Sequence, residues 1–238
     1  MTKVAIYVEG LTELAFVRQL LMEHYDSDWS KVRIVCINVG DKLASNEMYD
    51  FGDENAPLYY MIYNSQNDKK VISDICKNYT SHISKGFSRI VGLRDVFSED
   101  YVDLYGHIYN TQGIKDLTDG MQKTIANISS SNDVKITFAI MEIEAWMISL
   151  SNVFARIGHN LSNIYNQKNY GPANNPETTL VHPFKELTNI FSSAGLNYSK
   201  HWNDIKNFIF KIKKADFISL YKSPTCNSFN VFVDAILK

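Results

Sequence analysis

The stretch Val4–Leu21, VAIYVEGLTELAFVRQLL, decides the fold. Its first five residues form an apolar run of the kind found in buried parallel strands. Gly10 then permits a sharp turn, and Thr12 is a predicted helix N-cap. Apolar side chains recur after it at helical spacing. The stretch therefore predicts a strand, a glycine turn and a helix.

Glu9 directly follows this first strand, at the end where open α/β sheets bind their ligands. A solvated glutamate, or one that the positive N-terminal end of the helix favours, is the alternative interpretation. That alternative fits Glu13, in the predicted first turn of the helix. Position alone leaves both interpretations of Glu9 open.

The motif around Glu9 favours the functional interpretation of this residue over the solvated one. Val8–Glu13, VEGLTE, resembles the opening Glu-Gly-x-Thr-Glu motif of TOPRIM domains. These domains are the metal-dependent catalytic folds of primases, topoisomerases and overcoming-lysogenization-defect (OLD) nucleases. The resemblance implies that Glu9 belongs to a metal-dependent catalytic site.

Composition suits a globular cytoplasmic protein. The chain has 238 residues, 45% hydrophobic and 21% charged, enough for one sizeable α/β domain with an elaboration. No apolar run is long enough to span a bilayer, and we expect no signal peptide before the first strand. The three cysteines, Cys36, Cys76 and Cys226, match no zinc spacing, and we expect them to be reduced, buried thiols.

Three further apolar runs predict strands, at Val32–Val39, Arg89–Arg94 and Lys135–Met141. With Val4–Val8 they predict a parallel sheet of about four strands with helices on both faces. Helices are predicted at Lys69–Ser84 and Ile114–Ser129. The acidic stretch 40–68 contains an apolar run, Leu58–Tyr63, which we interpret as an irregular connection beside the site; an extra strand is the alternative.

Asp95 follows the third of these strands, as Glu9 follows the first. Aspartate often begins a turn, which is the alternative explanation. Adjacent parallel strands lie about 4.8 Å apart, so we expect the carboxylates of Glu9 and Asp95 to lie within roughly 4–7 Å, where one ion bridges them. TOPRIM domains carry Asp-x-Asp here, whereas this chain reads Asp95-Val96-Phe97, which puts a second metal in doubt.

Glu142 and Glu144 follow the fourth predicted strand. We expect Glu142 at the last strand position, facing the Glu9–Asp95 pocket, and Glu144 at the start of the next helix, which Trp146 anchors by burying its ring. The alternative is that both glutamates are structural salt-bridge partners.

The resemblance extends along the chain. The single aspartate after the third strand, the Glu-x-Glu-Ala-Trp segment at Glu142–Trp146 and, loosely, the closing segment Ile218–Phe229 resemble a bacterial TOPRIM-type family related to OLD nucleases and to the phage anti-restriction-induced system (PARIS). The implied fold is α/β, a TOPRIM (Rossmann-like) domain at residues 1–155. Residues 156–238 are predicted to form a polar loop, at 158–183, and a C-terminal helical subdomain packed on the domain.

The resemblance implies a Mg²⁺- or Mn²⁺-dependent nuclease that cleaves RNA (including tRNA) or DNA and serves as the toxic effector of abortive-infection defence against phage. Mg²⁺ needs only one or two protein carboxylates besides substrate phosphates. A non-hydrolytic, metal-site-bearing binding or regulatory subunit of a defence complex is the alternative. The expected partners are a nucleic acid, an ABC-type ATPase and a second copy in a homodimer, and no membrane. The expected catalytic residues are Glu9, Asp95 and Glu142, and the expected metal ligands are Glu9, Asp95, Glu13 and Glu144.

The C-terminal segment Lys185–Lys238 is basic, although the whole chain carries a net charge of -2. Its eight lysines against four acidic residues give +4, which leaves -6 for the remainder. The solvated face of an amphipathic helix is one interpretation, and a surface that binds phosphates is the other. The candidate nucleic-acid-binding residues are Lys206, Lys211, Lys213, Lys214 and Lys222.

Overall fold

The chain folds into two compact units. The computed structural model describes residues 1–39, 43–45, 49–127 and 133–238. Unit 1 comprises residues 1–94, 116–138 and 232–238, and unit 2 comprises residues 95–115 and 139–231. The predicted domain boundary between residues 155 and 156 falls inside unit 2.

Within the described residues, a sheet of six strands dominates unit 1. The strands are β1 Thr2–Val8, β2 Val32–Val39, β3 Leu43–Ser45, β4 Leu58–Asn64, β5 Arg89–Asp95 and β6 Val134–Ala139. Their spatial order is β3-β2-β4-β1-β5-β6. Strands β2, β4, β1 and β5 pair in parallel, and β3 is antiparallel to β2. Strand β6 runs parallel to β5, because the residue numbers joined by their hydrogen bonds rise together, from Ile90–Asp133 to Val96–Ala139.

The four predicted strands are confirmed, but the interpretation of Leu58–Tyr63 as an irregular connection is wrong. This run is β4, and it lies between β2 and β1. A short apolar run without alternation does not distinguish a strand buried on both faces from other buried segments. Here the aromatic-rich run pairs along its whole length with both neighbours, Thr2–Val8 and Val32–Asn38. This pairing explains why the run is a strand, a choice that periodicity alone did not decide.

Helices lie on both faces of the sheet. In chain order the helices are α1 Leu11–His24, α2 Asp68–Ser84, α3 Glu99–Tyr105, α4 Thr111–Ala126, α5 Glu144–Ile148, α6 Ser151–Ile157, α7 His159–Gln167, α8 Pro176–Thr179, α9 Pro183–Ser193, α10 Trp202–Ile209, α11 Lys214–Lys222 and α12 Asn227–Leu237. Among the described residues, no helix is long and apolar enough to cross a membrane.

The pleat of β1 and β4 assigns α1 and α2 to opposite faces. Ala5 and Tyr7 of β1 pack with Val71 of α2 in one buried cluster. Tyr60 of β4 is in register with Val4, so it faces the other way. Its hydroxyl lies 2.7 Å from that of Tyr25, which caps the end of α1. The predicted α/β arrangement with helices on both faces is confirmed.

The helix predicted at Ile114–Ser129 corresponds to α4, which is described through Ala126; Ile128 and Ser129 lie outside the described residues. Of the three cysteines, all free, Cys36 and Cys226 are buried as expected. Cys76 is only half-buried.

Unit 2 is helical where the sequence predicted a polar loop. The stretch 158–183 contains α7 and α8. The many asparagines made this stretch look like a loop, but Leu161 and Tyr165 are spaced i,i+4. This spacing places both side chains on the buried side of α7. The C-terminal segment is helical as predicted, with α9, α10, α11 and α12 in succession.

Candidate functional site

The turn between β1 and α1 is built around Gly10. Gly10 itself is the N-cap of α1, and no side chain bonds the helix end there. The prediction of Thr12 as the N-cap is wrong, since Thr12 is buried inside the first turn. A Cβ on Gly10 would lie 3.0 Å from Oε2 of Glu13. The Glu13 carboxylate therefore folds back against the turn, and a larger residue at position 10 would push it away.

Strand alternation explains which side chain meets Glu9. Tyr7 of β1 is in register with Gly92 of β5. A Cβ on Gly92 would lie 3.3 Å or less from side chains of α2, so both positions face that helix. Two residues further along each strand come Glu9 and Arg94, which keep the same face because side chains repeat every second residue. Nε of Arg94 lies 3.4 Å from Oε1 of Glu9.

Arg94 joins Glu9 to a second carboxylate, that of Asp68 at the first position of α2. Nη2 of Arg94 lies 3.6 Å from Oδ2 of Asp68, and Nη1 lies 3.1 Å from the sulfur of Met121. We call Glu9, Asp68 and Arg94 the Arg94 cluster. The Arg94 side chain is only 5% exposed, against 14% for Glu9 and 21% for Asp68.

The charge of Arg94 is thus held at the carboxyl end of β5 by two acidic neighbours. Its Nη2 atom is buried and forms no hydrogen bond within the described residues, so its contact with Asp68 is an ion pair only. A buried donor without an acceptor costs about 1–3 kcal/mol. An anion that supplied an acceptor would recover that free energy.

Asp95 belongs to unit 2, and its side chain accepts a hydrogen bond from the backbone of that unit. It is the last residue of β5, and alternation turns its side chain to the face opposite that of Arg94. Oδ1 of Asp95 accepts a hydrogen bond from the backbone N–H of Ile143 at 3.0 Å. The structure therefore brings Asp95 to the segment that carries Glu142 and Glu144. The predicted convergence of Asp95 with Glu9 stays a prediction.

Glu142 is not on the strand, contrary to the prediction. Strand β6 ends at Ala139, and Met141 adopts a left-handed conformation with φ of 60° that turns the chain away. Oε2 of Glu142 then accepts a hydrogen bond at 2.6 Å from the backbone N–H of Phe184, in the first turn of α9. A carboxylate is favoured at a helix N-terminus, where the backbone N–H groups lack partners.

Glu144 begins α5, as predicted. Its side chain is fully buried, and Oε1 lies 3.3 Å from Nζ of Lys200. Lys200 also lies over the ring of Phe184, 5.1 Å from its centroid. This pair supports the interpretation of Glu144 as a structural salt-bridge partner.

Trp146 is fully buried, as predicted, and it contacts an acidic residue that the sequence analysis missed. Its Nε1–H donates to Oε1 of Glu177 at 2.9 Å and also contacts Oγ of Ser228 at 2.8 Å. Ser228 donates to the same Glu177 oxygen. Burial raises the pKa of Glu177, although the hydrogen bonds from Ser228 and Trp146 act in the opposite direction. The sequence signal for Glu177 is local: Asn175 caps α8 and Pro176 opens it.

The five candidate lysines lie on the surface. Lys211, Lys213 and Lys222 are exposed, and Lys206 and Lys214 are half-buried. The aromatic residues between them divide into two groups, because Phe208 and Phe217 are buried core residues while Phe210 is 40% exposed. The buried group is what an amphipathic helix with a solvated lysine face requires.

The described residues contain no group of three or more His, Cys, Asp or Glu side chains that could hold a metal ion. Mg²⁺, however, requires only one or two protein carboxylates when substrate phosphates supply further oxygens. Glu9 and Asp68 offer two carboxylates around one guanidinium. Because Arg94 already offsets their charge, this donor set fits Mg²⁺ or Mn²⁺ bound together with a phosphate rather than a preformed metal cage.

Comparison of the chain with protein-family models, with curated proteins and with solved structures gave no match. The structure is that of an α/β protein with a partly buried carboxylate–arginine cluster at the carboxyl end of parallel strands. The functional argument therefore rests on that cluster and on the sequence motif that contains Glu9.

Proposed function

We propose that this chain is a Mg²⁺- or Mn²⁺-dependent nuclease of the TOPRIM type, which hydrolyses phosphodiester bonds of RNA (tRNA included) or DNA. The Arg94 cluster carries the proposal. It lies where open α/β sheets bind ligands. It combines a carboxylate with a buried guanidinium whose Nη2 atom has no hydrogen-bond acceptor within the described residues. Phosphate is the ligand whose chemistry uses both groups.

The cluster supplies what phosphoryl transfer needs from a protein. A guanidinium pairs with phosphate oxygens through charge-assisted hydrogen bonds, and it stabilises developing negative charge most strongly where water is excluded. Glu9 is placed to ligate the metal ion or to move a proton at the leaving oxygen. When bound, the metal ion polarises a phosphoryl oxygen and lowers the pKa of its bound water.

The wider assignment rests on the sequence resemblance. Asp95 and Glu142 are further catalytic candidates, and Glu13, Asp95 and Glu144 are further ligand candidates. The surface lysines Lys206, Lys211, Lys213, Lys214 and Lys222 would contact the phosphates of the nucleic acid. In this proposal the chain acts in the cytoplasm as the toxic effector of anti-phage abortive infection, with an ABC-type ATPase as partner and with a homodimer as its assembled form.

One group of contacts favours a second candidate function, that of a binding or regulatory subunit without hydrolysis. The three acidic candidates of unit 2 are each engaged by the fold: Asp95 by the backbone of Ile143, Glu142 by that of Phe184, and Glu144 by Lys200. Carboxylates used in this way are poorly available as metal ligands. The missing second aspartate after β5 points in the same direction.

A cleavage assay on the purified full chain separates the two functions. With mixed RNA and DNA we expect cleavage in Mg²⁺ or Mn²⁺ and none with a chelator. Glu9→Gln keeps the shape of the side chain but removes its charge, so we expect cleavage to fall about 10²–10⁴-fold. Glu54→Gln, at an exposed position of unit 1, is the matched control and should cleave like the wild type.

The outcomes are distinct. Full activity of Glu9→Gln, with a fold equal to that of the wild type by circular dichroism, would remove Glu9 from the mechanism. Metal-dependent binding of nucleic acid by the wild type without any cleavage would establish the second candidate function. Equal losses in Glu9→Gln and Glu54→Gln would show that the effect is one of general charge.

A further inference from the structure

Two histidines that are far apart in sequence meet in unit 2. Nδ1 of His107 lies 3.2 Å from Nε2 of His182, across a separation of 75 residues. His107 lies in the turn after α3, and His182 is the N-cap of α9. Only the fold of unit 2 brings the two rings together.

Both rings are positioned by their surroundings. The ring of Phe97 packs edge-on against His182, with centroids 4.3 Å apart, and lies 5.8 Å from the ring of His107. Pro183, at the first position of α9, restricts the backbone directly after His182. A pair held in this way loses little conformational entropy when it binds a common ligand.

The separation of the two nitrogens suits a shared metal ion. Two imidazole nitrogens bound at 2.0–2.1 Å to one tetrahedral ion lie about 3.3–3.4 Å from each other, close to the 3.2 Å between His107 and His182. Imidazole nitrogen suits Zn²⁺, Cu²⁺ and Ni²⁺, whereas Mg²⁺ prefers oxygen. This pair therefore favours a different class of ion from the one proposed for Glu9.

The protonation state of the two rings and their access to solvent also suit the binding of a metal ion. Partial burial lowers the pKa of His182, and the charges of His107 and Lys185 lower it further. A metal ligand must be a neutral imidazole, which this environment favours at neutral pH. His107 is exposed, so an ion reaches the pair from solvent.

We propose that His107 and His182 form a binding site for a Zn²⁺-class divalent ion, with the remaining coordination positions open to water or to an external donor. The bound ion would join the turn after α3 to the start of α9. Without an ion, one ring donates a hydrogen bond to the other. Binding a common ion would replace that bond and turn the rings so that both lone pairs meet at the ion.

Zinc titration by isothermal calorimetry tests this site, using the full chain in a buffer that does not chelate metals. We expect one site per chain that millimolar Mg²⁺ does not displace. His107→Ala and His182→Ala should each weaken Zn²⁺ binding at least tenfold and abolish the Zn²⁺-dependent rise in Tm. His201→Ala, at an exposed histidine that caps α10, is the matched control and should bind like the wild type.

Two results would overturn the proposal: wild-type binding no tighter than that of the double variant, or equal losses in His107→Ala and His201→Ala. His182 occupies the N-cap position of α9 without a side-chain hydrogen bond to the helix end, and His182→Gln provides a second variant that keeps a polar side chain there. Glu9→Gln should bind Zn²⁺ normally, which makes this test independent of the proposed nuclease activity.

Discussion

Glu9 of unit 1 and two carboxylates of unit 2, those of Asp95 and Glu142, have different kinds of partner. In unit 1, Glu9 meets a side chain, the guanidinium of Arg94. In unit 2, Asp95 and Glu142 accept hydrogen bonds from backbone N–H groups. A side-chain partner can change its rotamer when a ligand arrives, whereas a backbone partner moves only if the local fold does. Asp95 and Glu142 therefore fix backbone segments of unit 2, whereas the contact between Glu9 and Arg94 joins two side chains.

The largest effect that this contrast predicts is on the stability of unit 2. Trp146→Ala removes a fully buried ring and leaves the Glu177 carboxylate without its indole donor. We expect a loss of about 3–5 kcal/mol in the free energy of unfolding, measured by urea titration. Trp29→Ala, at a ring that is 62% exposed, is the control and should change little. Similar losses in the two variants would contradict the assigned role of Trp146.

A smaller effect is expected where Glu142 holds the start of α9. Glu142→Ala removes the acceptor of the Phe184 N–H, and we expect a loss of about 0.5–2 kcal/mol, the usual cost of a missing helix cap. Glu54→Ala, at an exposed site, should cost nothing measurable. An unchanged unfolding curve for Glu142→Ala would contradict this structural role of Glu142. A fall in cleavage activity larger than the unfolded fraction of the variant explains would give Glu142 a catalytic role as well.

The smallest effect concerns pH and Glu177. Its pKa is raised above the ordinary 4.5 by burial, so between the two values the folded state binds more protons than the unfolded state. Stability should therefore fall as pH rises from about 4.5 through the folded-state pKa, because the buried carboxylate then ionises. Glu177→Gln keeps an acceptor for Trp146 and should lack this decline, as measured by urea unfolding across the acid range.

Asp216 provides the internal control of opposite sign. Burial alone would raise its pKa, but the hydrogen bonds from Arg156 and the backbone of Lys213 prevail and lower it below the ordinary 3.8. Its contribution to stability should be present above that value and lost as pH falls further. Parallel stability curves for the wild type and Glu177→Gln would show that Glu177 is not held as the structure indicates.

Local sequence determined the elements and the places of single side chains. The apolar run before Gly10 predicted β1, helical spacing predicted α1, and Glu9 was correctly placed at the end of its strand. The burial of Trp146 and the start of α5 at Glu144 also followed from neighbouring residues. These features depend on periodicity and on turn chemistry, which act over a few residues.

Only the tertiary structure decided the partners. Strand β4 lies between β2 and β1 because it pairs with both, which its own residues do not specify. Arg94 shares a face with Glu9 through the register of β1 and β5, and Glu142 meets a helix 42 residues away in sequence. His107 and His182 meet across 75 residues. Such contacts depend on how distant elements pack, and a pattern within one segment carries no information about the segment that it will meet.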